Sequence, residues 1–414
     1  MNKTIQIISG GTFYHVRPHL ALSAPAFGST GRMLEKLCVE MIPEMDTYLY
    51  LTRMADPTSR IETNEDVGQK LDTWVANTNV KIIFLPVALC DYEGHLVGRF
   101  NEPPLIPSGK KEPRLKTSDG TRMIHLRPAE KLISKIRKTR KDIFLVGFKT
   151  TAGASEQDMF TAGLHLCKST SCNLVLVNDL HTKMNMVVTP EEAAYHVTNN
   201  REEALRGLVE MAKLRSHLTF TRSTVISGES VSWDSELVPE ALRQIVNYCI
   251  AKGAYKPFRG ATVGHFAAKL NDTTFLTSKR KTNFNDLKAN GLVKIETDGP
   301  DTVIAYGSKP SVGGQSQRIV FKDHPDCDCI VHFHCPIRPD SQVPTVSQRE
   351  FECGSHECGN NTSKGLDKFG NLYAVYLDQH GPNIVFNKDI DPFEVIQFIH
   401  ENFDLEAKTG GYSV

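Results

Sequence analysis

Two histidines separated by a single residue follow an apolar run in the second half of the chain. The run Cys329-Ile330-Val331 has the composition of a buried strand, and His332 and His334 come directly after it. Residues i and i+2 of a strand point to the same face, so the two imidazoles can converge on one cation. His380 follows another predicted strand and offers a third nitrogen; catalytic zinc favours three protein ligands and an open position. The pattern predicts a site for zinc or another divalent metal, and ordinary surface histidines are the alternative.

Thiols are concentrated near this predicted metal site. Cys353 and Cys358 flank His356 in a Cys-x4-Cys spacing, which is not a standard zinc-finger pair. We favour a loop with ordinary thiols, and a second metal site or a reactive thiol is the alternative.

Glycine-rich turns in the first half could hold phosphate groups. Gly10-Gly11-Thr12 follows the strand-like run Ile5–Ser9, and Gly28–Met33 is a second Gly/Ser-rich loop that opens a predicted helix. Glycines let backbone amides approach a phosphate closely, and a helix N-terminus favours anions. Simple reversal of the chain is the alternative for such a turn.

The elements that would position these groups alternate along the first half. Apolar runs of strand length are separated by amphipathic segments such as Thr30–Met41 and Ala129–Thr139. This alternation predicts an α/β fold with a mostly parallel sheet that is covered on both faces. The predicted strands are Ile5–Ser9, Thr47–Thr52, Val80–Val87, Asp142–Phe148 and Asn173–Asn178.

The pattern changes in the middle of the chain. Thr189-Pro190-Glu191-Glu192 has the proline and acidic residues of a helix start and predicts a helix from 189 to 214. The polar segment Ser223–Glu236 has no clear periodicity, so we place the domain boundary there, between residues 1–222 and 223–414. In the second half the predicted elements are helices Val238–Lys252 and Pro392–Asn402 and strands Thr274–Leu276, Asp301–Tyr306, Ile330–His334, Tyr373–Tyr376 and Asn383–Phe386.

Length and composition limit the class of protein. The 414 residues exceed the size of one ordinary core, and 48 basic residues balance 48 acidic ones. A neutral balance argues against nucleic acid or a membrane as partner. The sequence contains no apolar run of about 18 residues and no signal-peptide pattern at its start, and its scattered cysteines do not form a small disulfide framework. We expect a cytoplasmic enzyme or binding protein that acts on small molecules.

Six motifs of the first half occur in the order found in phosphopantothenate–cysteine ligases, and the chain resembles that family. They read Gly10-Gly11-Thr12, Ser29-Thr30-Gly31-Arg32-Met33, Cys90-Asp91-Tyr92, Arg114-Leu115-Lys116, Val146-Gly147-Phe148 and Asn178-Asp179. The resemblance implies a Rossmann-like three-layer α/β/α domain that binds CTP or ATP with Mg²⁺. The family activates a carboxylate as an acyl-nucleotide, which an amine then displaces. The implied nucleotide-binding residues are Gly10, Gly11, Thr12, Ser29, Thr30, Gly31, Arg32, Asp91, Arg114, Phe148 and Asn178.

The second half resembles the class II aldolase/adducin family. His324-Pro325-Asp326 followed by the apolar strand and its histidine pair matches that family's metal motif. The resemblance implies an α/β/α domain with a mainly antiparallel sheet, in which His332, His334 and His380 hold the metal. The metal then polarises a carbonyl or enediolate for carbon–carbon cleavage, epimerisation or elimination of water.

Both halves depart from these families at substrate-binding positions. Phe27 replaces an asparagine of the ligases, while Arg32 and Arg114 replace lysines. In the aldolase half, Gly313 falls at the position of the catalytic glutamate, and a glycine cannot carry a proton. His265 falls at the position of a phosphate-binding asparagine.

Other residues would have to take over these roles. We name Asp378 and His356 as candidate catalytic residues, with Glu352 and Glu357 also near in sequence. Lys279, Arg280 and Ser311 are candidates for binding an anionic substrate, although a solvated loop is an equal alternative for the cationic run.

The sequence therefore predicts a bifunctional metabolic enzyme. A CTP- or ATP-dependent, ligase-like domain would precede a zinc-dependent, aldolase-like lyase domain that acts on a small phosphorylated or anionic substrate. The alternative is a nucleotide- and metal-binding scaffold that has lost catalysis. Because both families assemble, and the aldolases complete their sites between subunits, we also expect a homo-oligomer, a tetramer or larger.

Overall fold

The chain folds into two compact units. The computed structural model describes residues 2–98, 103–312 and 317–412. The N-terminal unit comprises Met1–Ala154, Ala162–Val188 and His196–Ser216, and the C-terminal unit comprises Ser155–Thr161, Thr189–Tyr195 and His217–Val414. The C-terminal unit thus includes two short segments that precede its main body in the sequence. The predicted boundary at residue 222 stays a prediction.

The first half of the chain contains strands and helices in alternation. The strands are β1 (Thr4–Gly11), β2 (Phe13–Arg17), β3 (Leu20–Ser23), β4 (Asp46–Leu51), β5 (Val80–Phe84), β6 (Val87–Ala88), β7 (Tyr92–Val97), β8 (Leu105–Ile106), β9 (Ile124–Pro128), β10 (Phe144–Thr151), β11 (Leu174–Asp179), β12 (Asn185–Val188) and β13 (Ala194–Thr198). The helices are α1 (Ser29–Met41), α2 (Asn64–Ala76), α3 (Ile133–Thr139), α4 (Glu156–Thr170) and α5 (Arg201–Arg215).

The main sheet of the N-terminal unit is parallel at its centre. Strands β4, β1, β5, β10 and β11 lie side by side in that order and run parallel, and β12 adds antiparallel to β11. Every residue of β1 is buried, as expected for a strand with both faces covered. The predicted Rossmann-like α/β class is confirmed. Strand β4 lies on one side of β1, and the next strand of this sheet in sequence, β5, lies on the other side. The strand order therefore reverses between β1 and β5, and open α/β sheets bind ligands at such a topological switch point.

One sequence prediction in the middle of the chain is wrong. The segment from Thr189 is a turn followed by β13, and the helix α5 begins only after Asn200, whose side chain caps it by accepting two backbone N–H groups. Proline and two glutamates imitate a helix start, but Glu192 adopts a left-handed φ of 69° that no helix contains. The polar segment Ser223–Glu236, which shows no clear periodicity in the sequence, contains most of the strand Arg222–Ile226. This strand is mostly exposed at a sheet edge, so it lacks the apolar alternation of a buried strand.

The C-terminal unit contains the remaining elements. Its strands are β14 (Arg222–Ile226), β15 (Pro257–Phe258), β16 (Ala261–Thr262), β17 (His265–Lys269), β18 (Thr274–Thr277), β19 (Val293–Thr297), β20 (Thr302–Tyr306), β21 (Cys329–His332), β22 (Thr345–Val346), β23 (Asp367–Phe369), β24 (Leu372–Leu377) and β25 (Gly381–Phe386). Its helices are α6 (Glu240–Ala251), α7 (Leu287–Asn290), α8 (Gln317–Asp323), α9 (His356–Gly365) and α10 (Pro392–Asn402).

The sheet of this unit is mainly antiparallel, as predicted. Its strands follow the order β14-β20-β19-β18-β17-β21-β25-β24-β22, and only the outermost neighbours β14/β20 and β22/β24 pair in parallel along this path. Alternate residues of its central strands belong to two separate cores. Residues of α6 and α10 pack in one core, and residues of α8 pack in the other. The predicted α/β/α architecture is confirmed.

Strand β21 is the central strand on which the histidine pair depends. It pairs antiparallel with β17 on one side and with β25 on the other, and all four of its residues are buried. Among the described residues, no helix is both long and apolar enough to cross a bilayer.

Candidate metal and nucleotide sites

Three buried histidines of the C-terminal unit converge on one point. His332 ends β21, His334 lies two residues later, and His380 lies in the turn between β24 and β25. One ring nitrogen of each lies within 4.8 Å of those of the other two, and all three residues are buried. The fold therefore brings His380 together with the closely spaced pair His332 and His334, as the sequence predicts.

Two glycines permit this convergence because the strand backbones approach one another closely. Gly381 follows His380 with a φ of 137°, and a Cβ there would lie 2.1 Å from the carbonyl oxygen of Phe333. Gly264, with a φ of 111°, would place a Cβ 2.6 Å from the carbonyl oxygen of His332. Any larger residue at these positions has to push apart the backbone that carries the histidines.

The ring of His332 has the orientation and the protonation state that a metal ligand requires. Its Nδ1 lies 2.7 Å from the carbonyl oxygen of Pro382 and donates a hydrogen bond to it. This bond leaves Nε2 as the atom with a free lone pair, and Nε2 is buried without a hydrogen-bond partner among the described residues. Burial, reinforced by the neighbouring histidines, holds the pKa of His332 well below its usual range, so the ring is neutral. An orphaned neutral nitrogen facing two further imidazoles fits a divalent metal.

The ring of His334 is held from its other side by a carboxylate. Its Nδ1 lies 3.3 Å from Oε2 of Glu192, and the ammonium of Lys408 lies 3.2 Å from the same oxygen. Glu192 and Lys408 were not predicted from the sequence. Glu192 is remote in sequence, and its surrounding residues imitated a helix start.

A small cavity of about 10 Å³ borders the histidine cluster. This volume holds about one water molecule. Its polar wall consists of His265, His332, His380, Gln317, Cys353, Thr362 and Asn383. Cys353, which the sequence marked as either an ordinary or a reactive thiol, therefore lies beside the cluster.

His265 contributes a neutral ring to this wall. It stacks on His332 with ring centroids 4.6 Å apart, and its Nδ1 is hydrogen-bonded to the side-chain amide of Gln317. Burial, with a smaller contribution from His334, lowers the pKa of His265 to about 3. A neutral ring cannot supply the positive charge that would favour a phosphate.

The other predicted catalytic and substrate-binding residues are not in the wall of this cavity. Asp378 is exposed in the turn before His380. His356 opens α9, where its Nε2 lies 2.9 Å from the Thr221 hydroxyl. Lys279 donates to the Asn290 carbonyl, Arg280 is exposed, and the Ser311 amide donates to the Ser278 carbonyl over 2.9 Å. Gly313 lies outside the described residues.

The glycine turn of the N-terminal unit is tightly packed. A Cβ at Gly10 would lie 2.2 Å from the Thr52 hydroxyl, and one at Gly11 would lie 2.1 Å from the Ala24 carbonyl oxygen. The hydroxyl of Thr12 donates to Asn64 over 2.7 Å and accepts from the Cys90 amide. Close packing therefore requires these glycines whether or not a phosphate binds, and Thr12 is occupied within the protein.

The remaining predicted nucleotide-binding residues lie at the carboxyl edge of the sheet or on nearby loops. Phe148 lies in the last half of β10, and Asn178, in β11, accepts a hydrogen bond from Thr150. The loop and helix residues already have partners: the amide of Gly31 donates to Ser9, Thr30 accepts from Arg201, Arg32 donates to the Ala55 carbonyl, and Asp91 forms an exposed ion pair with Lys131. Ser29 and Arg114 are exposed.

Comparison with known proteins matches the two halves separately. Residues 243–337 match the model of the class II aldolase and adducin N-terminal domain. The coenzyme A biosynthesis bifunctional protein CoaBC of Thermococcus kodakarensis is 22% identical over 120 residues, which are 29% of this chain and 26% of that protein. The chain thus aligns with about a quarter of the length of this relative.

Two solved structures illustrate the likeness of fold. The DNA/pantothenate metabolism flavoprotein from Streptococcus pneumoniae covers 51% of this chain and 98% of its own, at 17% identity and a TM-score of 0.44. L-fuculose 1-phosphate aldolase covers 39% of this chain and 82% of its own, at 16% identity and a TM-score of 0.30. Residues 243–337 are thus similar to the class II aldolase and adducin N-terminal domain, and the N-terminal half of the chain is similar to CoaBC.

Proposed function

We propose that this protein is a bifunctional metabolic enzyme whose C-terminal unit is a metal-dependent lyase or epimerase. The buried cluster of His332, His334 and His380 carries the proposal, because three converging imidazole nitrogens are the donor set of a catalytic zinc. When bound, the metal would polarise a carbonyl or enediolate of a small anionic substrate. The protein's own contribution is to orient the three rings and to limit the space beside them to a small cavity.

Metal analysis of the purified protein tests this proposal. We expect about one zinc or other divalent ion per chain, lost in His332→Ala and in His334→Ala. His400→Ala is the matched control, since His400 is exposed on α10. If the parent binds no divalent metal under any loading condition, or if both cluster variants keep it, the proposal is wrong.

For the N-terminal unit we propose binding of CTP or ATP with Mg²⁺ and activation of a carboxylate. The topological switch at β1 and β5 and the similarity to CoaBC support this assignment. The departure at Phe27, which is exposed, supports an acyl substrate other than phosphopantothenate.

Thermal denaturation with each nucleotide tests the nucleotide site. A nucleotide that binds only the folded unit raises its melting temperature. Asn178→Ala should reduce this rise, whereas Asn199→Ala, at an exposed position, should not. Equal shifts in both asparagine variants and the parent would contradict the assignment of Asn178, and no shift in the parent would contradict nucleotide binding itself.

A nucleotide- and metal-binding scaffold without catalysis is the second candidate. It is favoured by the glycine at the position of the family's glutamate and by the placement of Asp378 and His356 away from the cavity. Binding of metal and nucleotide without turnover of either a nucleotide or a carbonyl substrate would support it. We also propose a homo-oligomer, and a light-scattering mass near the 46.1 kDa of a single chain would contradict that.

A further inference from the structure

We propose that Glu192 is a positioning residue of the metal site, supplied by a segment outside the aldolase domain. The inference depends on the proposed metal binding and adds a residue that the match over 243–337 does not contain. The segment Thr189–Tyr195 belongs to the C-terminal unit, although the rest of that unit begins at His217. A short turn of the first half thus contacts one member of the histidine cluster, His334.

The backbone conformation of Glu192 indicates that the surrounding structure holds its carboxylate in place. Glu192 has a φ of 69°, in the left-handed region that residues other than glycine and asparagine rarely adopt. Its residue is only 2% exposed. Strained conformations persist where the surrounding structure holds them, and they cluster at functional sites. Here the strained backbone conformation directs the Glu192 carboxylate toward His334.

The contact itself determines which nitrogen of His334 can bind a metal. With Nδ1 donating to Oε2 of Glu192 at 3.3 Å, Nε2 carries the lone pair. The carbonyl of Pro382 does the same for His332 at 2.7 Å. A carboxylate partner additionally makes the imidazole a stronger ligand than a carbonyl partner does, and removal of such partners lowers metal affinity about 10–100-fold.

Lys408 gives this carboxylate a second role. Its side chain is 7% exposed, its ammonium lies 3.2 Å from the same Glu192 oxygen, and it also lies 5.4 Å from the ring centre of Phe160. Glu192 therefore neutralises a buried cation near the histidine cluster. Without the carboxylate, the ammonium would repel a divalent metal through a medium of low dielectric constant.

The neighbouring Glu191 provides a matched control. It is equally buried, at 3% exposure, but its Oε1 accepts a hydrogen bond from the backbone amide of Cys353 over 2.7 Å. Glu191→Gln therefore removes a buried charge from the same turn without changing a ligand histidine.

The experiment compares Zn²⁺ affinity, measured by competition with a chromophoric chelator, in full-length variants. We expect Glu192→Gln to bind Zn²⁺ about 10–100-fold more weakly and to alter the visible spectrum of bound Co²⁺, whereas Glu191→Gln keeps the parent affinity and spectrum. Because the uncompensated ammonium is part of the cause, Glu192→Gln combined with Lys408→Met should recover part of the affinity.

The outcomes separate this inference from the proposed function. If the parent binds no metal, the proposed function fails. If the parent binds Zn²⁺ but Glu192→Gln and Glu191→Gln lose affinity equally, or neither loses it, Glu192 has no specific positioning role and the inference is overturned. Melting of the metal-free variants identifies any loss that comes from unfolding alone.

Discussion

Substituting Gly381 by alanine should disrupt the metal cluster through the backbone rather than through a ligand. The added Cβ would lie 2.1 Å from the Phe333 carbonyl oxygen, and the φ of 137° is unfavourable for any L-residue. Backbone strain of about 1–3 kcal/mol and overpacking of about 1–3 kcal/mol together give about 4 kcal/mol. For a unit of about 200 residues this corresponds to a fall in melting temperature of about 8–16 °C.

Gly260→Ala isolates the effect of the close contact. Gly260 also has a positive φ, 82°, but a Cβ there would have no heavy atom within 4 Å. We therefore expect a loss of about 1 kcal/mol and about 2–4 °C. Both variants carry a penalty for a positive φ, and only Gly381→Ala adds a clash with neighbouring backbone.

Fluorescence of Trp233 reports the unfolding of the C-terminal unit. The chain has two tryptophans, Trp74 and Trp233, one in each unit, so a Trp74→Phe background leaves Trp233 as the only reporter. In that background we expect Gly381→Ala to melt well below Gly260→Ala and to bind Zn²⁺ more weakly. Equal melting temperatures together with parental Zn²⁺ affinity would refute the argument that close backbone approach positions His380.

Three further predictions concern the pH dependence of stability, a helix cap and removal of the metal. The backbone amide of Thr182 and other donors hold the pKa of Asp179 well below its usual range; the stability that this carboxylate contributes is present above about pH 4 and lost in more acidic solution. Asp179→Asn should therefore lower the melting temperature at pH 7, and the difference from the parent should narrow as the pH falls below about 4; a difference that stays constant below about pH 4 would contradict this. Thr63 caps α2 in a capping box, so Thr63→Ala should cost about 1 kcal/mol in a denaturant titration followed by Trp74 fluorescence. A strong chelator should lower the melting temperature of the metal-loaded parent and leave that of His332→Ala unchanged.

Local rules of the sequence determined most elements and the core of the metal site. The two-residue period of an extended chain predicts that His332, the last residue of β21, and His334 face the same side, and their ring nitrogens do converge. The helix Pro392–Asn402 has the predicted bounds, because Asp391 caps it and proline occupies its first turn. These features depend on neighbours within a few residues, where the backbone geometry leaves few choices.

Only the tertiary structure decided which other side chains surround the histidines. Asp378 lies two residues from His380 and is a candidate catalytic residue by its place in the sequence, yet its turn exposes it to solvent. Glu192 lies far away in the sequence and contacts His334. Edge strand β14 has no buried face, so its sequence shows no apolar alternation. The turn at Glu192 adopts a left-handed φ that depends on its tertiary contacts, so it too leaves no periodic pattern. Sequence periodicity specifies the face of an element, whereas contacts between distant segments depend on how the whole unit packs.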